Sequence, residues 1–418
     1  MRIVIVGGGF AGINFAKQLA GKQGVEIILI DRNNYHFFPP LLYQVATSFI
    51  EPSNISYPFR KMFQNKGNIY FHYGSLVQIN STAKNIETTS GKFDYDILVL
   101  AMGTETNFFG MANVEKNALP MKNIDDALHI RNHLLIQLEK ATRIHDSSER
   151  QKLLTVVIAG GGPTGVEVSG MLAEMSKKIV YKDYPEFKDH QLDIYLIDAA
   201  DKLLGSMSQK SQKEALATLS KLGVNIKLGI SVKDYDNGKV VLSDGTTIET
   251  ATLIWASGVM GRKAPGLPTE SIGRGRRVMV DGYNKVIGVE GIYALGDLCY
   301  QTADTNYPNG HPQLAQVAIQ QGLLLASNIL KTQVGKPMKS FSYKDKGSMA
   351  IIAKFKAVVD LPKGFFKGFL AWLTWLFIHI IPLVGFGNKA KVLYNWFWSF
   401  FTNDPTLRLI IRPEEDDK

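Results

Sequence analysis

Two glycine clusters carry the clearest chemical signal in the chain. Gly7-Gly8-Gly9-Phe10-Ala11-Gly12 reads G-x-G-x-x-G, and Gly160-Gly161-Gly162-Pro163-Thr164-Gly165 repeats it. In such a run the first glycine permits a tight turn, the second lets the backbone approach a pyrophosphate, and the third lets helix and strand pack closely. The N–H groups that open the helix then bind the diphosphate. Asp31 and Asp198 each close an apolar run of strand length, where a carboxylate accepts hydrogen bonds from ribose hydroxyls. At Asp198 the same charge would repel a 2′-phosphate, so the second nucleotide is expected to be NADH rather than NADPH. One such loop also serves as a plain structural turn; two, each with its aspartate, point to two dinucleotides. Two dinucleotides in one chain imply a flavin relay, with hydride passing from nicotinamide to flavin and onward to an acceptor.

These loops need βα units to position them. Residues 3–6 and 155–158 are apolar strand-length runs that lead straight into the glycines, and residues 25–30 and 193–197 supply their partners. Further strands run into Ala101-Met102-Gly103-Thr104, into Gly258 and into Gly296-Asp297. The pattern predicts an α/β chain with two Rossmann-like dinucleotide-binding domains, an NAD domain (116–275) inserted in an FAD domain (1–115 and 276–345). A C-terminal module (346–418) follows. The gap between Gly165 and Asp198 is longer than usual and reads as an insertion at 177–190.

Over 418 residues, 45% apolar and 20% charged content excludes a disordered chain, a collagen-like repeat and a long coiled coil. Lysine plus arginine outnumber aspartate plus glutamate by 47 to 38, a surplus that favours a polyanionic partner. No basic block resembles a nucleic-acid arm, so an anionic membrane face is expected rather than nucleic acid. With Cys299 the only cysteine, no intrachain disulfide, dithiol relay or thiolate metal cluster can form, and no metal is expected. Cys299 itself reads as a small buried hydrophobe. A lone cysteine fits a reducing compartment, and the chain opens on a strand pattern with no export signal before it, so export is not expected.

Residues 368–388 are uncharged apart from His379, long enough to suggest a membrane span. Pro382, Gly385 and Gly387 break that run too early for a crossing. Beyond them Val392, Trp396 and Phe400 line up with Leu393, Phe397 and Phe401, opposite Lys391, Asn395 and Ser399, as in an interfacial amphipathic helix. Two helices embedded in one leaflet are therefore expected in preference to one crossing. A dimerising helix pair is a third reading, and a homodimer is expected. The tail at 414–418 is charged and expected to fray.

Residues 31–46, with P-L-L-Y-Q-V-A at Pro40 to Ala46, residues 315–322, reading A-Q-x-A-x-Q-x-G, and residues 347–352 resemble the type II NADH dehydrogenases. These are single-subunit NADH:quinone oxidoreductases of respiratory membranes that pump no protons, and the likeness runs along nearly the whole chain. It implies FAD held by Gly7, Gly9, Phe10, Ala11, Gly12, Asp31, Ala101, Gly103, Thr104, Gly296 and Asp297. NADH would be held by Gly160, Gly162, Pro163, Thr164, Gly165, Asp198 and Gly258. Glu167 would lie at the nicotinamide and flavin as a catalytic residue. Gln316, also catalytic, would border a membrane quinone with Gln320 and Ile351. The enzyme would sit peripherally on the cytoplasmic face of the inner membrane.

Two departures are visible: the family's A-T-G turn is Ala101-Met102-Gly103 here, and Pro39-Pro40 varies the commoner loop. Each site residue also has a plainer reading. A carboxylate at Glu167 suits the first turn of a helix in any case, Gln316 and Gln320 lie four apart as on a solvated face, and His36 reads as a hydrogen-bonded loop residue without chemistry. Glu167, water or the flavin could supply the proton that quinone reduction needs. A soluble-acceptor NADH-dependent reductase or NADH oxidase, and a non-catalytic FAD/NADH-binding redox sensor, stay open as alternatives.

Overall fold

The computed structural model describes residues 1–187, 192–402 and 408–411. The chain forms two compact units, each assembled from three segments: residues 1–37, 57–105 and 259–346 in the first, and 38–56, 106–258 and 347–418 in the second.

The first unit is built on a five-stranded parallel sheet in the order Ile292–Ala294, Ile97–Leu100, Arg2–Val6, Glu26–Asp31, Ile69–Tyr73. Val4 stands opposite Ile28 on one side and Leu98 on the other. A central parallel strand is covered on both faces, which is why Ile3, Val4 and Ile5 form an unbroken apolar run and are all fully buried. Helix Phe10–Leu19 buries Ala11, Ile13, Phe15, Ala16 and Leu19. It crosses helix Ala315–Gln333 so closely that a Cβ on Gly322 would sit 2.5 Å from the Ala11 carbonyl oxygen.

The second unit repeats the plan, with parallel strands in the order Leu119–Pro120, Thr252–Trp255, Thr155–Ala159, Asp193–Asp198, Asn225–Leu228. Its helix Pro163–Met175 is buried along nearly its whole length, because it is covered by a second layer. That layer is the antiparallel sheet Ser348–Ala353, Lys356–Leu361, Gly364–Gly368, and a Cβ on Gly170 would fall 1.7 Å from the Ile352 carbonyl oxygen. Only glycine lets the two layers approach this far. Of the insertion read at 177–190, residues 188–190 lie outside the described residues.

After that sheet come helices Phe369–Ile380 and Phe386–Thr402, separated where Gly385 adopts a φ of 88°. Among the described residues no helix is long and apolar enough to cross a membrane. The apolar stripe read on the last helix is divided. Val392 is fully buried and Trp396 half-buried, while Leu393, Tyr394, Phe397 and Trp398 face outward. The apolar arc is wider than one stripe, so the helix has greasy residues both for its own unit and for its outside. The side chains of Ser399, Phe400 and Phe401, and the tail at 414–418, lie outside the described residues.

Candidate functional site

In the first unit the fingerprint glycines do what their spacing requires. Gly7 has a φ of 105°, and a Cβ on it would sit 2.4 Å from the Ala101 carbonyl oxygen. A Cβ on Gly12 would sit 1.9 Å from the Gly7 carbonyl oxygen, whereas Gly9 faces open space. Gly9 caps helix Phe10–Leu19 without any side-chain cap, and no acidic residue occupies the first turn. Helix N–H groups without a side-chain cap, beside open space, make an anion-binding cradle. Gly8 is backed by the Phe59 ring.

Asp31 accepts hydrogen bonds from Gly8 N–H at 2.6 Å and Asn33 N–H at 2.7 Å, one on each carboxylate oxygen. Burial raises its pKa, against those two bonds and the charges of Arg32 and Arg262. Each oxygen keeps a lone pair for a ribose hydroxyl. Gly103 turns at a φ of 68° and its carbonyl accepts from Arg262 N–H, while Arg262 and Arg276 both pair with Glu105. Gly296 also turns left-handed, donating its N–H to Gln321 Oε1 at 2.7 Å, and Asp297 follows in the same short 3-10 turn.

Thr104 Oγ1 and His36 Nε2 are among the described buried polar atoms of this unit that have no protein partner. His36 Nδ1 lies 3.1 Å from the Gly8 carbonyl oxygen, and burial lowers its pKa to about 4. Such orphans beside an open glycine cradle are what a bound dinucleotide would satisfy, so the residues present fit FAD. Cys299 is buried with Gln321 and Asn284 against its sulfur, and burial pushes its thiol up to about 11. It is a packed hydrophobe, not a thiolate.

The second cradle copies the first. Gly160 has a φ of 119° and faces the Ala256 carbonyl oxygen, a Cβ on Gly165 would lie 1.8 Å from the Gly160 carbonyl oxygen, and Gly162 faces open space. Pro163 opens helix Pro163–Met175, where its missing N–H costs nothing, and Thr164 follows half-buried. Asp198 accepts from Gly161 N–H and from Ala200 N–H, the latter at 2.7 Å. Gly258 is left-handed and pressed on the Phe109 ring.

One turn into that helix stands Glu167, 9% exposed. Burial raises its pKa to about 8, opposed by a hydrogen bond from the Ile351 backbone N–H. Glu167 and Ile351, read from sequence for different tasks, are thus direct partners. Beside them is Tyr43, whose phenol is pushed up by burial and by the Glu167 charge. Gln44 donates to Tyr43 Oη at 2.9 Å. Tyr43 and Gln44 were part of a recognisable segment, but nothing in their types or spacing assigned them to Glu167.

Gln316 and Gln320 belong to the first unit and are half-buried. Gln316 Oε1 accepts from Lys346 N–H at 3.2 Å, and Gln320 makes a two-way pair with the Lys344 backbone at 3.0 and 3.1 Å. Their helix spacing holds the segment that leaves this unit.

Residues 1–322 match the family model described as pyridine nucleotide-disulphide oxidoreductase. A type II NADH:quinone oxidoreductase, Ndh, of Mycobacterium tuberculosis is 35% identical, covering 96% of this chain and 88% of that protein. An internal alternative NAD(P)H-ubiquinone oxidoreductase of Arabidopsis thaliana is 30% identical, over 96% of this chain and 84% of that one. The solved structure of NDH2 from Plasmodium falciparum with NADH shares the fold, with a TM-score of 0.89, 24% identity, and 98% and 99% of the two chains covered. Sequence likeness over nearly the full length thus accompanies the two cradles and the sheet behind Glu167, and the chain belongs to the type II NADH:quinone oxidoreductases.

Proposed function

We infer that this protein is a peripheral membrane flavoenzyme that oxidises NADH and reduces a membrane quinone without pumping protons. When bound, FAD supplies the acceptor for the nicotinamide hydride and passes two electrons to the quinone. The observation that carries the reading is the pair of like cradles, each with a left-handed first glycine, an open second glycine and an aspartate on the loop amides. The first, with Ala101, Gly103, Thr104, Gly296 and Asp297, is assigned to FAD. The second, with Gly258, is assigned to NADH, and the Asp198 charge selects against a 2′-phosphate.

Quinone, NADH and one proton give quinol and NAD⁺, so a proton must be delivered as well as a hydride. Glu167 is assigned to hold it, because a carboxyl whose pKa is near 8 is largely protonated at neutral pH and still able to release. Gln316, Gln320 and Ile351 are assigned to the quinone side. The exposed Leu370, Leu373 and Phe377, with Phe386, Phe397 and Trp398, suit a lipid surface on the cytoplasmic face, and a homodimer is assigned to the same chain.

Rapid mixing tests the reading. NADH should bleach the flavin absorbance of the purified protein, and a ubiquinone or menaquinone analogue should restore it; bleaching that oxygen reverses as fast as quinone would favour an oxidase instead.

A further inference from the structure

Phe109 combines two unfavourable features at one point of the second unit. Its backbone is left-handed, with a φ of 52°, which a residue with a bulky side chain rarely adopts. Its ring is also 60% exposed. The neighbouring Phe108 behaves in the opposite way, packing against the core with its ring 5.9 Å from that of Trp255.

Local hydrogen bonds hold the Phe109 turn in place. Phe109 N–H donates to Asn107 Oδ1 at 2.8 Å, Asn107 N–H donates to the Gly258 carbonyl at 3.3 Å, and the Asn107 carbonyl accepts from Trp255 Nε1 at 3.0 Å. The ring lands on Gly258, which is exposed, and a Cβ there would lie 2.4 Å from Phe109 Cζ. Only glycine at 258 leaves this seat open. The Trp255 ring, 6.4 Å away and inclined at 62°, supports the Phe109 ring from the side.

The sheet determines what lies beside that seat. Strands Asp193–Asp198, Thr155–Ala159 and Thr252–Trp255 are parallel neighbours, so Asp198, the Gly160 turn and the segment Ala256-Ser257-Gly258 follow one another along the carboxyl edge. A Cβ on Gly160 would lie 2.7 Å from the Ala256 carbonyl oxygen and 3.0 Å from Ser257 N, so the third strand end touches the glycine cradle. An open α/β sheet binds its nucleotide across these carboxyl ends. With Asp198 on the adenosine ribose and the cradle on the diphosphate, the rest of the nucleotide continues away from Asp198, to the strand end that carries Gly258. That end is left for the nicotinamide riboside half.

We propose that Phe109 is a further NADH-binding residue: its ring, seated on Gly258, is the wall against which the nicotinamide riboside half is held. The proposal rests on the assignment of the second cradle to NADH. A flat apolar face suits a planar heterocycle and keeps water from that side of it. A bound nucleotide would bury the exposed ring, which gives the strained turn that presents it a purpose.

Calorimetric titration of the FAD-loaded full chain with NAD⁺ and with ADP tests this, because ADP ends at the diphosphate and lacks the nicotinamide riboside half. Phe109→Leu and Phe109→Gly should each weaken NAD⁺ binding by about tenfold, the worth of one stacked aromatic face, and leave ADP binding within about twofold. Glycine enters a φ of 52° without steric cost, so Phe109→Gly keeps the turn should the leucine variant fold poorly. Phe109→Tyr keeps the flat face and should bind NAD⁺ as the unsubstituted protein does. Unchanged NAD⁺ binding in both the leucine and the glycine variants overturns the role. Equal weakening of ADP overturns it too, since Phe109 would then serve only to prop the loop. If the unsubstituted protein binds neither NAD⁺ nor ADP, the assignment of the second cradle itself fails.

Discussion

At the scale of single residues, the two halves of the molecule use aspartate alike but expose different tasks. Asp31 and Asp198 each spend one lone pair per oxygen on loop amides before any ribose arrives, so each organises its loop as well as reading a sugar. Asp198→Asn should keep one of those bonds and remove the charge. The ratio of kcat/KM for NADPH over NADH should then rise roughly tenfold, about the worth of one close charge pair near a surface. Glu167 makes a second prediction. Its folded pKa, about 8, lies above the ordinary 4.5, so its contribution to stability is complete below about pH 4.5 and is lost as pH rises toward 8. Glu167→Gln should flatten that decline and be more stable than the wild type at pH 8 to 9, by on the order of 1–3 kcal/mol, read from denaturant midpoints. Equal slopes of stability against pH in the two proteins would contradict it.

At the scale of elements, each cradle depends on one contact that only a missing Cβ allows. Gly12 and Gly165 face backbone oxygens of their own loops, which cannot move aside as a side chain tip could. Gly12→Ala should therefore push helix Phe10–Leu19 off its strand and give protein without flavin absorbance. Gly165→Ala should retain FAD and raise the KM for NADH tenfold or more, since it disturbs only the second cradle. Loss of FAD from both variants, or from neither, would refute the separate assignment of the loops. Gly170 serves a different end, letting sheet Ser348–Ala353 come close enough for Ile351 to bond Glu167.

At the scale of the whole molecule, the C-terminal segment has two duties that a deletion would confuse. Trp375 and Val392 are fully buried, so removing the helices would strip a core as well as a surface. Leu370 and Phe377 are outward, 64% and 67% exposed, and can be changed alone. The pair Leu370→Glu with Phe377→Glu should lower co-sedimentation with anionic vesicles by tenfold or more, because each side chain is worth about 1.5–3 kcal/mol of apolar burial. NADH oxidation with a water-soluble acceptor should persist. Undiminished vesicle binding would move the lipid contact elsewhere.

Much of this was legible in the chain because the relevant physics is local. A G-x-G-x-x-G run after an apolar strand can adopt few conformations, and the Asp at the next strand end follows from the βα geometry, so both cradles and the doubled α/β plan could be read directly. The early break in the C-terminal apolar run was equally readable from Pro382 and Gly385. What sequence could not supply was every contact made across long separations. Tyr43 and Gln44 acquire meaning only when folding brings them to Glu167, more than a hundred residues on, and Trp396 only when its helix returns to Gln44. That Gln316 and Gln320 hold the backbone at 344–346 was illegible for the same reason, since that segment lies a full helix away. Spacing along a chain determines backbone shape and which residues share a face; tertiary packing alone determines which polar atoms lose water together, and that decides which carboxyl keeps a proton.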